Sequence, residues 1–94
     1  MLKKLDPLLH SELRLAIMSL LVSLQKADFT YIKEKTEATS GNLSVQLTKL
    51  EEAGYLEIKK GFKGKMPQTT CFITRKGIEA FEKYVENLKA YLKL

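Results

Sequence analysis

The sequence predicts a mainly helical domain with one small β-hairpin, an α+β fold, and two periodicities support this prediction. Apolar residues recur every three or four positions before residue 53 and after residue 75, as in helices with one buried face. Between these regions, segments 55–60 and 69–74 alternate apolar and polar residues as strands do. The 94 residues suit one modest core, so we expect a single domain over residues 1–94.

The first predicted helix covers about residues 6–24. Asp6 can accept hydrogen bonds from free backbone N–H groups, and Pro7 fits the first helical position. Segment 13–24 is apolar on nearly every side, and a helix of this kind needs cover on every side. In so small a domain, we expect a partner subunit to supply part of that cover.

Two further helices joined by a brief turn are predicted over about residues 30–53. Phe29 is expected to form one rung of a short strand, and Thr30 to cap a short helix. The second helix, about residues 40–53, begins at Thr39 or Ser40. Its apolar positions lie at helical spacing on one face: Leu43, Leu47 and Leu50. Gly54 is suited to terminate it in the left-handed conformation.

A hairpin of about residues 55–74 follows, with a connecting loop that is expected to be longer than a tight turn. Thr74 is predicted to cap a last helix over about residues 75–93. The apolar residues of this helix follow heptad spacing: Ile78, Phe81, Val85, Leu88 and Leu92. Such a seam serves core packing or helix pairing between subunits, and the sequence leaves both open.

The positive charge of the chain is concentrated in one segment. The formal net charge is +5, and residues 55–77 contain six of the basic residues against the single acid Glu57. The other residues carry ten bases and ten acids, which cancel. This clustering indicates a surface that binds a polyanion, although a basic hairpin that is merely solvated has the same composition.

The outer face of the second helix of the pair carries short hydrogen-bonding side chains, which suit contact with base edges. Gln and Asn can bind adenine through two hydrogen bonds, although in an isolated helix these side chains could simply be solvated. Gly41 would let a phosphate approach the helix N-terminus closely. Glu51 and Glu52 would repel phosphate, so we expect both to face away from DNA.

Two helices joined by a turn form a helix-turn-helix, and the basic hairpin directly after it gives the order of a winged helix-turn-helix. The sequence resembles the small winged-helix transcriptional regulators near the MarR and ArsR groups. The matching residues span about half of the chain: Ser44-x-x-Leu47-x-x-Leu50-Glu51-x-x-Gly54-Tyr55-Leu56 and, after the hairpin or wing, Phe72-Ile73-Thr74-x-x-Gly77.

The resemblance implies a homodimer that binds pseudo-palindromic double-stranded DNA. We expect a sequence-specific transcriptional regulator, with a repressor as the leading hypothesis, although the sequence leaves the direction of regulation open. The recognition helix 40–53 would enter the major groove, and the wing would contact phosphates or the minor groove. The implied DNA-binding residues are Thr39, Ser40, Asn42, Ser44, Val45, Gln46, Thr48, Lys49, Lys60, Lys63 and Lys65, with Lys59 and Arg75 as secondary candidates. The implied dimer-interface residues, on helices 6–24 and 75–93, are Leu9, Leu13, Ile17, Leu20, Phe81, Tyr84, Val85, Leu88, Tyr91 and Leu92.

The sequence argues against other classes of function. Cys71 and His10 are the only cysteine and the only histidine, so we expect no metal site, no metal sensing and no cofactor. No catalytic motif is present, and no apolar run is long enough for a membrane helix, so we expect a cytoplasmic protein without enzymatic activity. Whether a small-molecule effector exists is left open.

Two alternatives to DNA binding remain at this point. A winged-helix module can bind another protein and not DNA. RNA binding would require exposed aromatic residues for base stacking, and Phe62 in the wing is the only candidate.

Overall fold

The computed structural model describes residues 2–94. Four helices and a three-stranded antiparallel sheet of order β1-β3-β2 form the winged-helix fold that the sequence predicts. The elements are, in chain order, α1 (Glu12–Leu24), β1 (Lys26–Asp28), α2 (Phe29–Thr36), α3 (Ser40–Glu52), β2 (Leu56–Lys63), β3 (Met66–Ile73) and α4 (Arg75–Leu92). The core lies between the helices and the inner face of the sheet.

Helix α1 begins later than predicted. Asp6 organises a separate turn, in which its carboxylate accepts the Leu8 N–H at 2.9 Å and its carbonyl accepts the His10 N–H at 2.9 Å. The chain is then extended at Ser11, with φ −151°, and Ser11 is the N-cap of α1. The predicted start at Asp6 is therefore wrong, because this aspartate caps a single turn and not the helix.

The rest of the chain itself surrounds α1, which packs against β1, β3 and the other three helices. Ile17 is fully buried, and so is Leu9 from the preceding turn. Tyr84 of α4 is only 3% exposed. The prediction that these three residues form a dimer interface is therefore wrong, because one chain already covers them. The apolar character of α1 reflects a central position in the core.

The start of α2 also differs from the prediction. Strand β1 ends at Asp28, whose carboxylate accepts the Tyr31 N–H at 2.7 Å and so caps the helix. Phe29 is therefore the first residue of α2 and not a strand residue, and Thr30 lies within the helix. Both Asp28 and Thr30 satisfy the local capping preference. Asp28 is the cap because its pairing with Thr70 in the sheet keeps its backbone extended directly before α2 begins.

The second helix of the pair has the predicted limits. Thr39 is the N-cap of α3, and its hydroxyl accepts the Asn42 N–H at 3.2 Å. Gly54 follows the helix with φ +80°, the left-handed conformation that was expected of it. The apolar stripe is buried throughout, with Leu43, Leu47 and Leu50 all at 1% exposure or less. A 3-residue segment after α2, residues 37–39, links the two helices.

The hairpin is longer and its turn tighter than the sequence predicts. Strands β2 and β3 extend to Lys63 and Met66, so that the turn consists of Gly64 and Lys65 alone. Gly64 has φ +64°, and glycine in the first position is typical of a type II′ turn. The prediction of a long loop is wrong because Pro67 continues the strand. In a two-residue hairpin its position is non-hydrogen-bonded, so the missing N–H costs no ladder bond.

Helix α4 begins as predicted, with Thr74 as its N-cap. The Thr74 hydroxyl donates to the Gly54 carbonyl at 2.6 Å and accepts the Gly77 N–H at 3.0 Å. Gly77 and Tyr84 are buried, so this face of α4 packs on the core. Residues seven apart share a helix face, and a more accessible row flanks the buried one: Ile78, Val85 and Leu92.

Candidate nucleic-acid interface

The face of α3 opposite the core is open to solvent. Of the candidate DNA-binding residues in the recognition helix and its cap, all except Gln46 are exposed: Thr39, Ser40, Asn42, Ser44, Val45, Thr48 and Lys49. Val45 is 51% exposed although it is aliphatic, which leaves an apolar group available for a thymine methyl. A Cβ on Gly41 would meet no atom within 4 Å, so the packing of the chain does not require this glycine.

Gln46 is half-buried because it forms part of a chain of hydrogen bonds that begins in α1. Arg14 donates through Nε to the Leu8 carbonyl at 2.6 Å and through Nη1 to Gln46 Oε1 at 2.5 Å. Gln46 Nε2 in turn donates to Asn42 Oδ1 at 3.0 Å. A guanidinium only donates, so Arg14 fixes the orientation of the Gln46 amide and, through it, that of Asn42.

Arg14 is therefore a residue of the candidate interface that the sequence did not reveal. It lies 32 positions before Gln46, and it stands out in the sequence only as a charged residue in the apolar helix α1. Its charge also lies beside the outer face of α3. The outward group of Asn42 is then its Nδ2, a donor suited to the acceptors at the edges of purines.

Replacement of Gln46 by alanine is expected to change sequence preference more than overall affinity. Without the Gln46 amide, the Asn42 amide is no longer held in one orientation. The free-energy difference between the preferred base and the others should therefore change by about 1–3 kcal/mol at one base-pair position. Arg14→Ala should shift preference at the same position, because Arg14 orients the pair. Quantitative binding to a panel of single-base operator variants measures both effects. An equal loss on every sequence would contradict this role for Gln46.

The wing lysines differ in the face of the hairpin on which they lie. Lys59 shares the outer face with Glu57 and Phe72, and its Nζ lies 3.9 Å from Glu57 Oε2 and 5.2 Å from the Phe72 ring centroid. Lys60 lies on the opposite face and lines a cleft with Ser44 and Thr48 of α3. Lys60 therefore belongs to the surface that continues from the recognition helix, whereas Lys59 does not.

The wing tip adds two more exposed cations. Lys63 ends β2, and Lys65 is the second residue of the turn. Within residues 2–94, the structure contains one ion pair, and neither of these lysines belongs to it. Both charges are therefore available to an external anion.

The two glutamates at the end of α3 behave differently. Glu51 Oε2 accepts the Ile58 N–H at 2.9 Å, which satisfies a free donor on the outer edge of β2 and turns the carboxylate toward the hairpin. Glu52 lines a shallow depression together with Val45 and Thr48, so it lies on the outer face of the helix. Glu51 is thus turned away from the outer face of α3, as the expectation for it requires, whereas Glu52 lies on that face, where the expectation for it does not place it.

The surroundings of Cys71 and His10 indicate that both side chains have a structural role. Cys71 is buried in β3, and burial, with a smaller effect of the Glu51 and Asp28 charges, raises the pKa of its thiol to about 11. His10 Nδ1 lies 2.9 Å from the Tyr84 hydroxyl. Across residues 2–94, no group of three or more metal-ligating side chains comes together, and no helix is both long and apolar enough to cross a bilayer.

Comparison with known proteins identifies the class to which this fold and surface belong. Residues 13–92 match the family model of the winged helix DNA-binding domain. The chain therefore belongs to the winged helix DNA-binding domain family, and its resemblance to small winged-helix transcriptional regulators is confirmed. This family is not enzymatic, in agreement with the conclusion from the sequence.

Individual relatives agree with this assignment. The chain is similar to protein MJ0432 of Methanocaldococcus jannaschii, with 44% identity over 77 residues that cover 81% of this chain and 83% of that protein. It is also similar to the solved structure of a transcriptional regulator homologue from Pyrococcus horikoshii OT3. That match has a TM-score of 0.86 and 31% identity, and covers 92% of this chain and 85% of the other.

A more distant structure shares the fold alone. A transcriptional regulator from Clostridium thermocellum superimposes with a TM-score of 0.69 at 19% identity, over 97% of this chain and 93% of that one. The shared fold therefore takes in nearly all of both chains. The chain is thus a DNA-binding domain of the kind found in transcriptional regulators.

Proposed function

We propose that this protein is a sequence-specific transcriptional repressor that binds a pseudo-palindromic operator in double-stranded DNA as a homodimer. The observation that carries the proposal is the polar outer face of α3, exposed except at half-buried Gln46 and continuous, through a shared cleft, with the face of the wing that bears Lys60. In this arrangement one surface offers both groups that bind base edges and groups that bind phosphates.

The recognition helix supplies the choice of sequence. An α-helix fits the major groove, whose base edges present a distinct donor and acceptor pattern for each base pair. Asn42, Ser44 and Val45 project from the N-terminal half of α3, the part that approaches base edges most closely in helix-turn-helix proteins. Occupancy of a promoter by this surface would exclude the transcription machinery, and this is the mechanism that we propose for repression.

The proposed homodimer uses the parts of the predicted interface that the chain does not bury. The accessible row of α4 and the end of the chain carry the most exposed apolar side chains there, with Leu92 at 77% and Leu94 at 90% exposure. Leu20 of α1 is also only partly covered. A second copy packed on this row would bury apolar surface that is otherwise in water.

A mobility-shift titration of genomic duplex at low and moderate salt tests DNA binding directly. We expect binding at micromolar protein that weakens steeply with added salt, because lysine–phosphate contacts release counterions. A folded chain that shows no salt-sensitive shift would contradict the proposal and would favour the alternative, a winged-helix module that binds another protein.

Sedimentation tests the homodimer separately from DNA binding. The wild-type chain is expected to sediment as a dimer at working concentration, and Leu92→Glu to shift it toward monomer, since the charge would lie within the apolar interface. Leu92 is 77% exposed in one chain, so its substitution should leave the fold intact. Val45→Glu serves as the control, because it makes the same kind of apolar-to-acidic change on α3, outside the proposed dimer interface. A wild-type monomer would contradict this part of the proposal.

A further inference from the structure

The tip of the wing exposes large apolar side chains that residues 2–94 leave uncovered. Phe62 is 75% exposed and Met66 is 69% exposed. Both lie within three residues of the Gly64–Lys65 turn, among charged lysines. The geometry of a two-residue turn does not depend on either side chain, and neither side chain packs against the core. We therefore expect these two side chains to contact a partner outside the chain.

The position of Phe62 in the hairpin sets the direction in which it projects. Side chains alternate along a strand, so Phe62 shares a face of β2 with Lys60 and, further back, with buried Leu56. That is the face on which Lys60 and Thr69 line a cleft with the outer residues of α3. Phe62 therefore extends the surface proposed to bind DNA and does not lie behind it.

Phe62 is also held in place by its cross-strand partner. The register pairs Phe62 with Pro67. In a hairpin with a two-residue turn, this second pair is non-hydrogen-bonded, and its Cα atoms approach to about 4.5 Å. Proline fixes its own φ, so the strand opposite Phe62 is stiff. The aromatic side chain is thus presented on a preorganised ribbon.

The length of the hairpin matches the distance across a DNA backbone. Ile58 is bound to α3 through Glu51, and Phe62 lies four strand residues beyond it, or about 13 Å. With α3 in the major groove, half of the groove width is only about 6 Å. A hairpin that runs outward across the groove edge would then carry the wing tip beyond the bordering phosphates to the adjacent minor groove.

We infer that Phe62 is an apolar wedge that enters the minor groove beside the operator and partly unstacks a base step there. Apolar side chains on minor-groove binders act in this way, and they kink the duplex toward the major groove. Lys63 and Lys65 would hold the two phosphate backbones on either side of the wedge. The inference rests on the proposed DNA-binding function and adds to it a second, deformation-dependent source of sequence preference.

The charge around the tip favours DNA as the partner. Lys60 shares the face of Phe62, Lys63 follows it in the strand and Lys65 lies in the adjacent turn, whereas the acid on β2, Glu57, lies at the other end of the strand. An aromatic side chain set among unpaired cations suits a polyanion that has an apolar interior, and stacked bases between phosphates provide this combination. An anionic membrane surface shares part of this chemistry, and the experiment separates the two partners.

Permanganate, which oxidises unstacked thymines, tests the wedge on a duplex selected by the protein from a random pool. The wild-type chain is expected to make thymines reactive at the flank of the site. Phe62→Ala should abolish this reactivity and bind about tenfold more weakly, with an unchanged salt slope, because only apolar contact is lost. Phe62→Leu should retain reactivity in part. Lys63→Ala is the matched control, with reactivity retained and the salt slope of the dimer lowered by about two, which is one for each wing.

The outcomes distinguish this inference from the function on which it rests. Salt-dependent duplex binding with unreactive thymines and an unaffected Phe62→Ala variant would overturn the wedge and leave DNA binding intact. Failure of the wild-type chain to bind any duplex would overturn both. Loss of Phe62→Ala binding to phosphatidylserine vesicles, with duplex binding unchanged, would overturn the wedge in favour of a membrane contact.

Discussion

Removal of the three wing lysines together, Lys60→Ala, Lys63→Ala and Lys65→Ala, is expected to weaken binding to every duplex by roughly 100- to 500-fold for each wing at 0.1 M salt, and the proposed homodimer places two wings on its operator. Each phosphate contact contributes close to tenfold at this salt relative to 1 M, so that three contacts multiply to about this range. The slope of log affinity against log salt should fall by about 0.9 for each contact, and so by about five for the six contacts of the dimer, which titrations at several salt concentrations measure.

The chain offers a control with the same change in net charge. Lys83, Lys89 and Lys93 are exposed on or next to α4, away from the wing and from α3. Their joint replacement by alanine should leave the salt slope nearly unchanged. Equal losses for the two triple variants would show that only the net charge matters, and would contradict a wing that contacts phosphate.

Gly77→Ala is expected to destabilise the fold more than alanine at any other glycine of the chain. A Cβ at this position would lie 2.1 Å from the Tyr55 carbonyl oxygen and 3.1 Å from Met18 Cε. The backbone oxygen cannot move aside, so the first turn of α4 would shift away from Gly54 and strain the Thr74 hydrogen bond at 2.6 Å. We expect a loss of about 3 kcal/mol and a fall in Tm of about 12–20 °C.

Gly41→Ala is the matched control for this substitution, because a Cβ at Gly41 would meet no atom within 4 Å. It lies in a helix as Gly77 does, so alanine should be neutral or stabilising by up to about 1 kcal/mol. Thermal and urea unfolding of the two variants measure the difference. Equal stability of Gly77→Ala and the wild-type chain would contradict the close docking of α4 against Tyr55.

Features governed by neighbouring residues could be predicted from the sequence. The caps formed by Thr39 and Thr74 depend on side chain to backbone bonds over three residues; the prediction of Thr74 is confirmed, and Thr39 is one of the two residues that the sequence offered. The buried stripe of α3 follows from helical spacing alone. The left-handed Gly54 was likewise predicted correctly, because a helix C-terminus favours glycine.

Features that depend on contacts distant in sequence could not be predicted in this way. The Asp28 cap depends on the pairing of β1 with β3, and the extended wing on a register that tolerates Pro67. The apolar surface of α1 could belong to a core or to a dimer, and only the packing of the chain assigns Ile17 to the core. Sequence spacing carries no signal for the bond between Arg14 and Gln46.

Selection of bound duplexes from a random pool, followed by sequencing, is the most direct test of sequence-specific binding by a symmetric dimer. We expect enrichment of an inverted repeat whose half-sites lie about one helical turn apart, 10–10.5 base pairs between centres. The Gln46→Ala variant should enrich a repeat altered at one position in each half-site. Recovery of a pool indistinguishable from its input by a folded wild-type chain would contradict the account.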